Sequence, residues 1–183
     1  KGEGVNPSGP LPAFREHPLQ LVDGPIRRTF LSLGFRTPDL RDPDQTTIKL
    51  LVDALAGGRG SILAESLRYK PGLVYGVRGG FESYSDSGQT NVTTSTDPEN
   101  LQEVLDVLSA TFSRVYKEGL PETEIESSRN EMKNGLPFEL QTSKAWVQAF
   151  SDKEALKVGG DYVADSLKAL SDVKEEDMRR VAS

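Results

Sequence analysis

The chain has 183 residues, of which 36% are hydrophobic, and this supplies one hydrophobic core rather than two. It carries 22 Lys and Arg against 28 Asp and Glu, a net charge of -6, which argues against nucleic-acid binding because the phosphate backbone requires an excess of basic side chains. The absence of cysteine excludes disulfides, thiolate metal sites and a cysteine nucleophile. The apolar runs are short, so we expect no membrane insertion.

The N-terminal segment is rich in proline and shows neither helical nor strand periodicity. We therefore expect residues 1–22 to form an extended linker and residues 23–183 to form one folded domain. The one histidine, His17, lies in this segment. A zinc site needs several ligands and a Ser-His-acid triad needs a firmly held base, so the sequence predicts neither within this chain.

The folded part is predicted to begin with a strand over 26–36. Thr29, Leu31 and Leu33 alternate there with Arg28 and Phe30, which is a period of two. This alternation predicts a strand that is buried mainly on one face.

Helical spacing of apolar residues follows. The first helix is predicted to begin at Asp42-Pro43, where an N-cap residue precedes proline, and to end at Gly57-Gly58; a short second helix is predicted over 61–70. The most regular apolar stripe predicts a helix from Asp97-Pro98 to Gly119. The remaining sequence predicts helices over 121–134, 143–158 and 161–170 and a last helical turn in VKEEDMRRVA.

Residues 74–84 and 89–95 are typical of a β-hairpin, because a Ser-Asp-Ser-Gly turn separates two β-prone arms. The element order is then β-α-α-β-β-α followed by a helical tail. This order predicts an α+β domain with a mostly antiparallel sheet that helices cover on one side.

A glycine-rich turn, Gly57 to Ser61, opens the short helix and could serve as an anion-binding module. It lacks the Lys-Ser/Thr pair of a P-loop and follows a helix instead of a strand. Those two features favour a plain helix-to-helix turn.

Arg68 and Tyr75 flank a Pro-Gly turn between the short helix and the next strand. This arrangement can bring a guanidinium and a phenol to one place, and both groups donate hydrogen bonds suited to a peptide carbonyl or an oxyanion. Helix-end and strand propensities alone also account for the two residues. On spacing alone the structural interpretation is favoured over the binding one.

The run DPDQTTIKLLVDALAGGRGSILAESLRYKPGLVYGVRGGF resembles the second-half domain of the insulinase/pitrilysin family of zinc metallopeptidases, as in the processing peptidases. The passages LGFRTPD, TDPENLQEVLDVL and DVKEEDMRRVA occur where that family would have them, and the resemblance covers about residues 20 to 183. Its most specific element is the Arg-x6-Tyr spacing from Arg68 to Tyr75. Two positions differ from the family pattern, Tyr69-Lys70 in place of an acidic residue after the Arg and Ser61-Ile62-Leu63 in place of Ser-Arg-Leu.

The resemblance implies a division of labour between two homologous halves. The other half would carry the His-x-x-Glu-His motif and the zinc, whereas this chain lacks that motif, would hold no cofactor of its own and would be inactive alone. It would bind an extended peptide substrate, to which Arg68 and Tyr75 would contribute contacts near the zinc site. The partner would be the homologous zinc-binding half, on the same polypeptide or as a separate subunit.

A second hypothesis is a non-proteolytic structural or assembly subunit, since some members of that family have lost catalysis. The presence of both Arg68 and Tyr75 favours the peptidase. Bacterial relatives in the family are often exported, so the resemblance also favours a periplasmic or cell-envelope location.

Overall fold

The structure is a computed structural model that describes residues 22, 24, 27–69, 72–155 and 162–182. His17 and the predicted linker, apart from Val22, lie outside the described residues. The boundary between linker and domain therefore stays a prediction.

In the described part of the chain, three strands form one antiparallel sheet: β1 (Thr29–Thr37), β2 (Val74–Ser83) and β3 (Gly88–Thr96). The strand β3 lies in the centre and pairs with both of the others. The predicted hairpin is confirmed, and the first predicted strand is confirmed from Thr29 onward. The sheet order β1-β3-β2 places β1 and β2 on opposite sides of β3.

Helices account for most of the remaining described residues. They are α1 (Gln45–Ala56), a π-helical segment (Ala64–Tyr69), a short 3-10 turn (Pro98–Asn100) that leads into α2 (Leu101–Glu118), then α3 (Glu122–Glu139), α4 (Ser143–Ala155), α5 (Tyr162–Asp172) and α6 (Glu175–Ala182). Among the described helices, none is both long and apolar enough to cross a membrane.

Three helices differ from their predicted form, and one of them is α3, which continues to Glu139 instead of ending near residue 134. The helix α1 begins at Gln45, not at Pro43, because the Asp42 carboxylate accepts a hydrogen bond from the backbone N–H of Asp44 at 2.8 Å and so forms a turn before the helix. The predicted short helix begins as an α-helix at Ile62 and continues as the π-helical segment from Ala64.

Burial alternates along the sheet and shows which face the helices cover. On β3, Val92, Thr94 and Thr96 are buried, at 3%, 6% and 0% exposure. On the opposite face, Phe30 is 70% exposed and Tyr75 is 60% exposed. The predicted α+β class, an antiparallel sheet covered by helices on one side, is confirmed.

The core lies between the covered face of the sheet and the helices. It contains side chains from β2, β3, α1, the π-helical segment, α2, α3 and α6, among them the fully buried Leu50, Leu63, Leu67, Val104, Leu108 and Ile125. Each such side chain contributes roughly 1.5–3 kcal/mol by its removal from water.

The helix α1 packs closely on β2 because one residue of that strand has no side chain. A Cβ atom built on Gly79 would lie 2.9 Å from Cγ1 of Val52 and 3.1 Å from Cβ of Ala56. These distances are too short for a larger residue, so glycine at this position sets the distance between helix and sheet.

A buried arginine joins α3 to the C-terminal helices. Arg129 is 7% exposed and donates hydrogen bonds to the backbone carbonyls of Leu170 at 3.0 Å and Val173 at 2.7 Å. It also forms an ion pair with Glu126. The last carbonyls of a helix have no partner within the helix, and Arg129 supplies one at the end of α5.

Candidate functional site on the open sheet face

Tyr75 lies at a β-bulge near the start of β2. Val74 pairs with Thr96 and Val77 pairs with Thr94, so two residues of β2 lie opposite one residue of β3. A bulge bends its strand and redirects the local side chains. The Tyr75 ring is accordingly 60% exposed on the face that the helices leave open.

The central strand holds the bulge in place through side-chain hydrogen bonds. The hydroxyl of Thr94 donates to the carbonyl of Gly76 at 2.9 Å, and the buried hydroxyl of Thr96 donates to the carbonyl of Leu73 at 2.6 Å. Two backbone carbonyls beside Tyr75 thus have partners. This fixed backbone gives the tyrosine a defined position.

Arg68 is placed beside the same end of β2 by the π-helical segment. The backbone N–H of Leu73 donates to the carbonyl of Leu67 at 2.8 Å, and Leu67 is itself fully buried. The end of the segment is therefore tied to the start of the strand. Short π-helical segments are rare in proteins, and those that occur often lie at functional sites.

Within the described residues, Arg68 and Tyr75 do not contact each other, although the residues next to them in the chain, Leu67 and Leu73, are joined by a backbone hydrogen bond. The guanidinium carbon of Arg68 lies 5.3 Å from the ring centre of Tyr69. The ring of Tyr75 is contacted by Arg28, whose guanidinium carbon lies 3.3 Å from the ring centre. The predicted pair thus consists of two separate exposed donors at one end of the sheet.

A shallow cavity of about 350 Å³ lies on the open face beside Tyr75. We call it the open-face cavity. Phe30 from β1 and Tyr75 from β2 form its walls, Arg78 lies further along β2, and residues of β3 including Thr93 and Ser95 form its floor.

The charge on this face is uneven. Arg28 and Arg78 lie at the Tyr75 end, and Asp97, the acidic residue that follows β3, forms no ion pair with either of them. At the far end, Glu82 accepts hydrogen bonds from Gln89 at 2.7 Å and from the Tyr84 hydroxyl at 2.8 Å, which hold the pKa of its carboxyl below the usual range. The Tyr75 end is therefore cationic, although the whole chain is acidic.

The residues present do not fit a zinc site. Among the described residues, no group of three or more His, Cys, Asp or Glu side chains is placed to hold a metal ion. In the glycine-rich turn from Gly57 to Ser61, the buried Ser61 hydroxyl donates a hydrogen bond to the Gly58 carbonyl at 2.8 Å. The hydroxyl thus stabilises the turn between the two helices.

A second cavity, of about 360 Å³, lies on the helix side between α1 and α3. Asp53 is half-buried there, and within the part of the chain that the structure describes its Oδ2 atom has no hydrogen-bond partner. Burial, together with the nearby Glu131 and Glu139 carboxylates, raises the pKa of Asp53 to about 6 against the opposing effect of Lys49. We call this the helix-side cavity.

Sequence analysis identified Tyr75 but not the other residues that line the open-face cavity, nor Arg28, which contacts the Tyr75 ring beside it; Arg68 is not among the lining residues. Arg28 and Phe30 precede Tyr75 by more than forty residues, and only the strand order β1-β3-β2 brings them near it. The alternation of the first strand did assign Arg28 and Phe30 to the face opposite Leu31. That assignment is the feature of the sequence from which their position on the open face could have been predicted.

The fold and the site define a class: an α+β domain with one open sheet face and, in its described residues, no metal-binding group. The sequence model described as "Peptidase M16 inactive domain" matches residues 1–132, and the chain belongs to this family of zinc proteases. The predicted insulinase/pitrilysin resemblance is confirmed. The match begins within the segment predicted as a linker.

Curated relatives carry matching names. The chain is 27% identical over 164 residues to an uncharacterized zinc protease of Mycobacterium tuberculosis, which covers 90% of this chain and 37% of that protein. It is 26% identical over 126 residues to an uncharacterized zinc protease of Bacillus subtilis, with 69% and 31% covered. The match thus spans about a third of the length of each of these relatives.

Solved structures share the fold. A peptidase M16 inactive domain from Pseudomonas fluorescens superposes with a TM-score of 0.77 at 23% identity, over 86% of this chain and 38% of that one. A chain of complex III2 from Candida albicans superposes with a TM-score of 0.76 at 15% identity, over 87% and 40%. At these identities the likeness concerns the fold alone.

Proposed function

We propose that this chain is the non-metal half of an M16-type zinc metalloendopeptidase, which binds an extended peptide and supplies Arg68 and Tyr75 to the zinc site of the other half. The observation that supports the proposal is that both side chains are exposed near the start of β2, Tyr75 on the uncovered sheet face and Arg68 in the π-helical segment before the strand. The curated relatives are named zinc proteases and are more than twice as long as this chain, so they have room for a second half.

The strand β2 offers the peptide a backbone partner. Within the described sheet, β2 is an edge strand, and an extended peptide can add to such an edge through main-chain hydrogen bonds. The bulge at Tyr75 interrupts the regular ladder at the point where the side chain turns outward. A peptide on this edge would pass beside both Tyr75 and Arg68.

Arg68 and Tyr75 would act as hydrogen-bond donors to the substrate. A guanidinium carries five N–H donors and a phenol one O–H donor, and neither group forms a recorded hydrogen bond within the described residues. Donors that are already in position contribute most when negative charge develops on a carbonyl oxygen. In the proposed enzyme, zinc held by the other half would supply the activation of water.

The test is reconstitution with the zinc-binding half. This chain, the other half and the two together are each incubated with a quenched fluorescent peptide, with and without a zinc chelator. We expect cleavage only when both parts are present and only without chelator. A folded, stably associated pair that cleaves none of a diverse peptide set would contradict the proposal.

A second candidate is a structural or assembly subunit, and one neighbour favours it. The chain of complex III2 from Candida albicans has this fold and belongs to a multi-subunit assembly. On this alternative, the chain would associate stably with its homologous half, and the Arg68→Ala and Tyr75→Phe changes would leave the size and stability of the assembly unchanged. Absence of cleavage together with a stable assembly would support this second candidate.

A further inference from the structure

We infer that the open-face cavity binds a carboxylate group of the peptide substrate through Arg78 and Arg28, so that this half selects acidic peptides. The inference rests on the proposed peptide-binding function and goes beyond it by naming the substrate class. The family pattern that identifies Arg68 and Tyr75 assigns no role to Arg28 or Arg78.

Arg78 is available to a ligand. Its side chain is exposed, and within the described residues it makes no hydrogen bond, ion pair or ring contact. It lies opposite Thr93 in the strand register, on the floor side of the cavity. An exposed arginine without a protein partner is held near its position by a strand backbone and retains all five N–H donors.

Arg28 is oriented by Tyr75. A guanidinium carbon 3.3 Å from a ring centre is at stacking distance, and stacking uses the face of the guanidinium while its N–H groups point outward from the edge. The stack therefore fixes one cation without consuming its hydrogen-bond donors. A carboxylate has two oxygens and matches the fork of such donors.

The cavity walls favour a side chain over a small ion. The rings of Phe30 and Tyr75 line a space of about 350 Å³, which holds the methylene groups of a glutamate while its carboxylate meets the arginines. The floor contains Thr93 and Ser95, which are small, so the cavity stays open. Asp97, which follows β3, forms no ion pair with Arg28 or Arg78, so both guanidinium groups stay available to the carboxylate of a ligand.

The test uses this chain together with its zinc-binding half and a set of labelled peptides with blocked termini. Each pair of peptides differs only by Glu against Gln, with the glutamate moved along the sequence, and a further Gln peptide has a free C-terminal carboxylate. Binding is followed by fluorescence anisotropy. At the best position we expect Glu to bind about fivefold more tightly than Gln.

Variants identify the cavity as the cause. Arg78→Gln should abolish the preference for Glu, and Arg28→Gln should reduce it, whereas the control Arg59→Gln, which removes an equal charge outside the sheet, should preserve it. If Arg59→Gln reduces the preference as much as Arg78→Gln, or if Glu and Gln bind equally at every position, the inference is wrong. Tight binding of the peptide with a free C-terminus supports the carboxylate site and shows that the site takes its carboxylate from the peptide terminus.

The outcomes separate this inference from the proposed function. Cleavage without any preference for Glu would leave the peptidase proposal in place and contradict the acidic subsite. A Glu preference that depends on Arg78, without cleavage, would support the subsite and contradict the peptidase proposal. Thermal unfolding of Arg78→Gln serves as the folding control, and we expect an unchanged midpoint because Arg78 has no structural contact to lose.

Discussion

Two arginines on opposite sides of the same sheet have opposite surroundings. Arg129, in the helical layer, is 7% exposed and is satisfied by two backbone carbonyls and a glutamate. Arg78, on the open face, is exposed, and its side chain has no hydrogen-bond or ion-pair partner among the described residues. A buried guanidinium without partners is costly, so the first arrangement serves stability, whereas the second leaves its donors available for a ligand.

The largest effect on folding is expected at Arg129. The change Arg129→Met leaves the carbonyls of Leu170 and Val173 without their donor, and it should lower the free energy of unfolding by about 3 kcal/mol. Urea denaturation measures the difference. Arg78→Gln is the matched control and should unfold like the unmodified chain; equal stability losses in both variants would remove the contrast between the two arginines.

The next effect concerns activity and leaves stability unchanged. In the chain combined with its zinc-binding half, Arg68→Ala and Tyr75→Phe should each reduce kcat/KM for peptide cleavage by roughly ten- to a hundredfold, because each removes one donor to the substrate. Tyr75→Phe keeps the ring on which Arg28 stacks, so it removes the hydroxyl alone.

Controls for these two changes come from the helical side. Tyr116→Phe removes an equivalent exposed hydroxyl on α2, and Arg59→Ala removes an exposed guanidinium. Neither should change kcat/KM, and none of the four variants should change the urea midpoint. Full activity of both Arg68→Ala and Tyr75→Phe would show that the family pattern does not describe this site.

The sequence predicts those parts of the fold that depend on local patterns. The period-two alternation of the strands and the apolar stripe of α2, from Val104 to Val115, lead directly to the hairpin and to the helical layer. Arg68 and Tyr75 are only seven residues apart, so their spacing predicts that both lie near the start of the same strand.

Other features depend on contacts between distant segments, and no local pattern reports them. Arg129 is 41 residues from Leu170 and 44 from Val173, so its role becomes visible only once α3 and α5 are packed together. Similarly, Arg28 reaches Tyr75 only because β3 lies between β1 and β2. The bulge arises from the register between two strands, which alternation alone does not determine.

Asp53 extends the comparison to a half-buried carboxylate, one oxygen of which, Oδ2, has no hydrogen-bond partner among the described residues. Its pKa is raised to about 6, so the folded state binds a proton more tightly than the unfolded chain, and the charged form destabilises the fold as the pH rises through that value. Asp53→Asn should therefore increase the free energy of unfolding by about 1–2 kcal/mol near neutral pH. Toward pH values of about 4 the two proteins should converge.

Measurement of urea denaturation across this range checks the sign. Glu139→Gln, which removes a weaker neighbour from the same cavity, should give a smaller change in the same direction. A loss of stability in Asp53→Asn at neutral pH would show that the Asp53 carboxylate has a stabilising partner after all.

Asp44, which directly precedes α1, is a carboxylate near the surface that does have a partner. Arg180 of α6 donates to its two oxygens at 2.5 and 2.7 Å, and this hydrogen bonding holds the pKa of Asp44 below its usual value. The sign is opposite to that of Asp53: the pair stabilises the fold at neutral pH, and this contribution disappears as the pH falls through the pKa of Asp44.

Of the changes predicted above, Asp44→Asn should have the smallest effect, here on the free energy of unfolding, because water and salt weaken a solvent-exposed ion pair. We expect a small decrease in the urea midpoint at neutral pH and low salt, and none at high salt. Since Asp44→Asn and Asp53→Asn make the same chemical change on one helix, opposite signs at neutral pH would show that partners and burial, not the carboxylate itself, determine the contribution. Equal signs would contradict that conclusion.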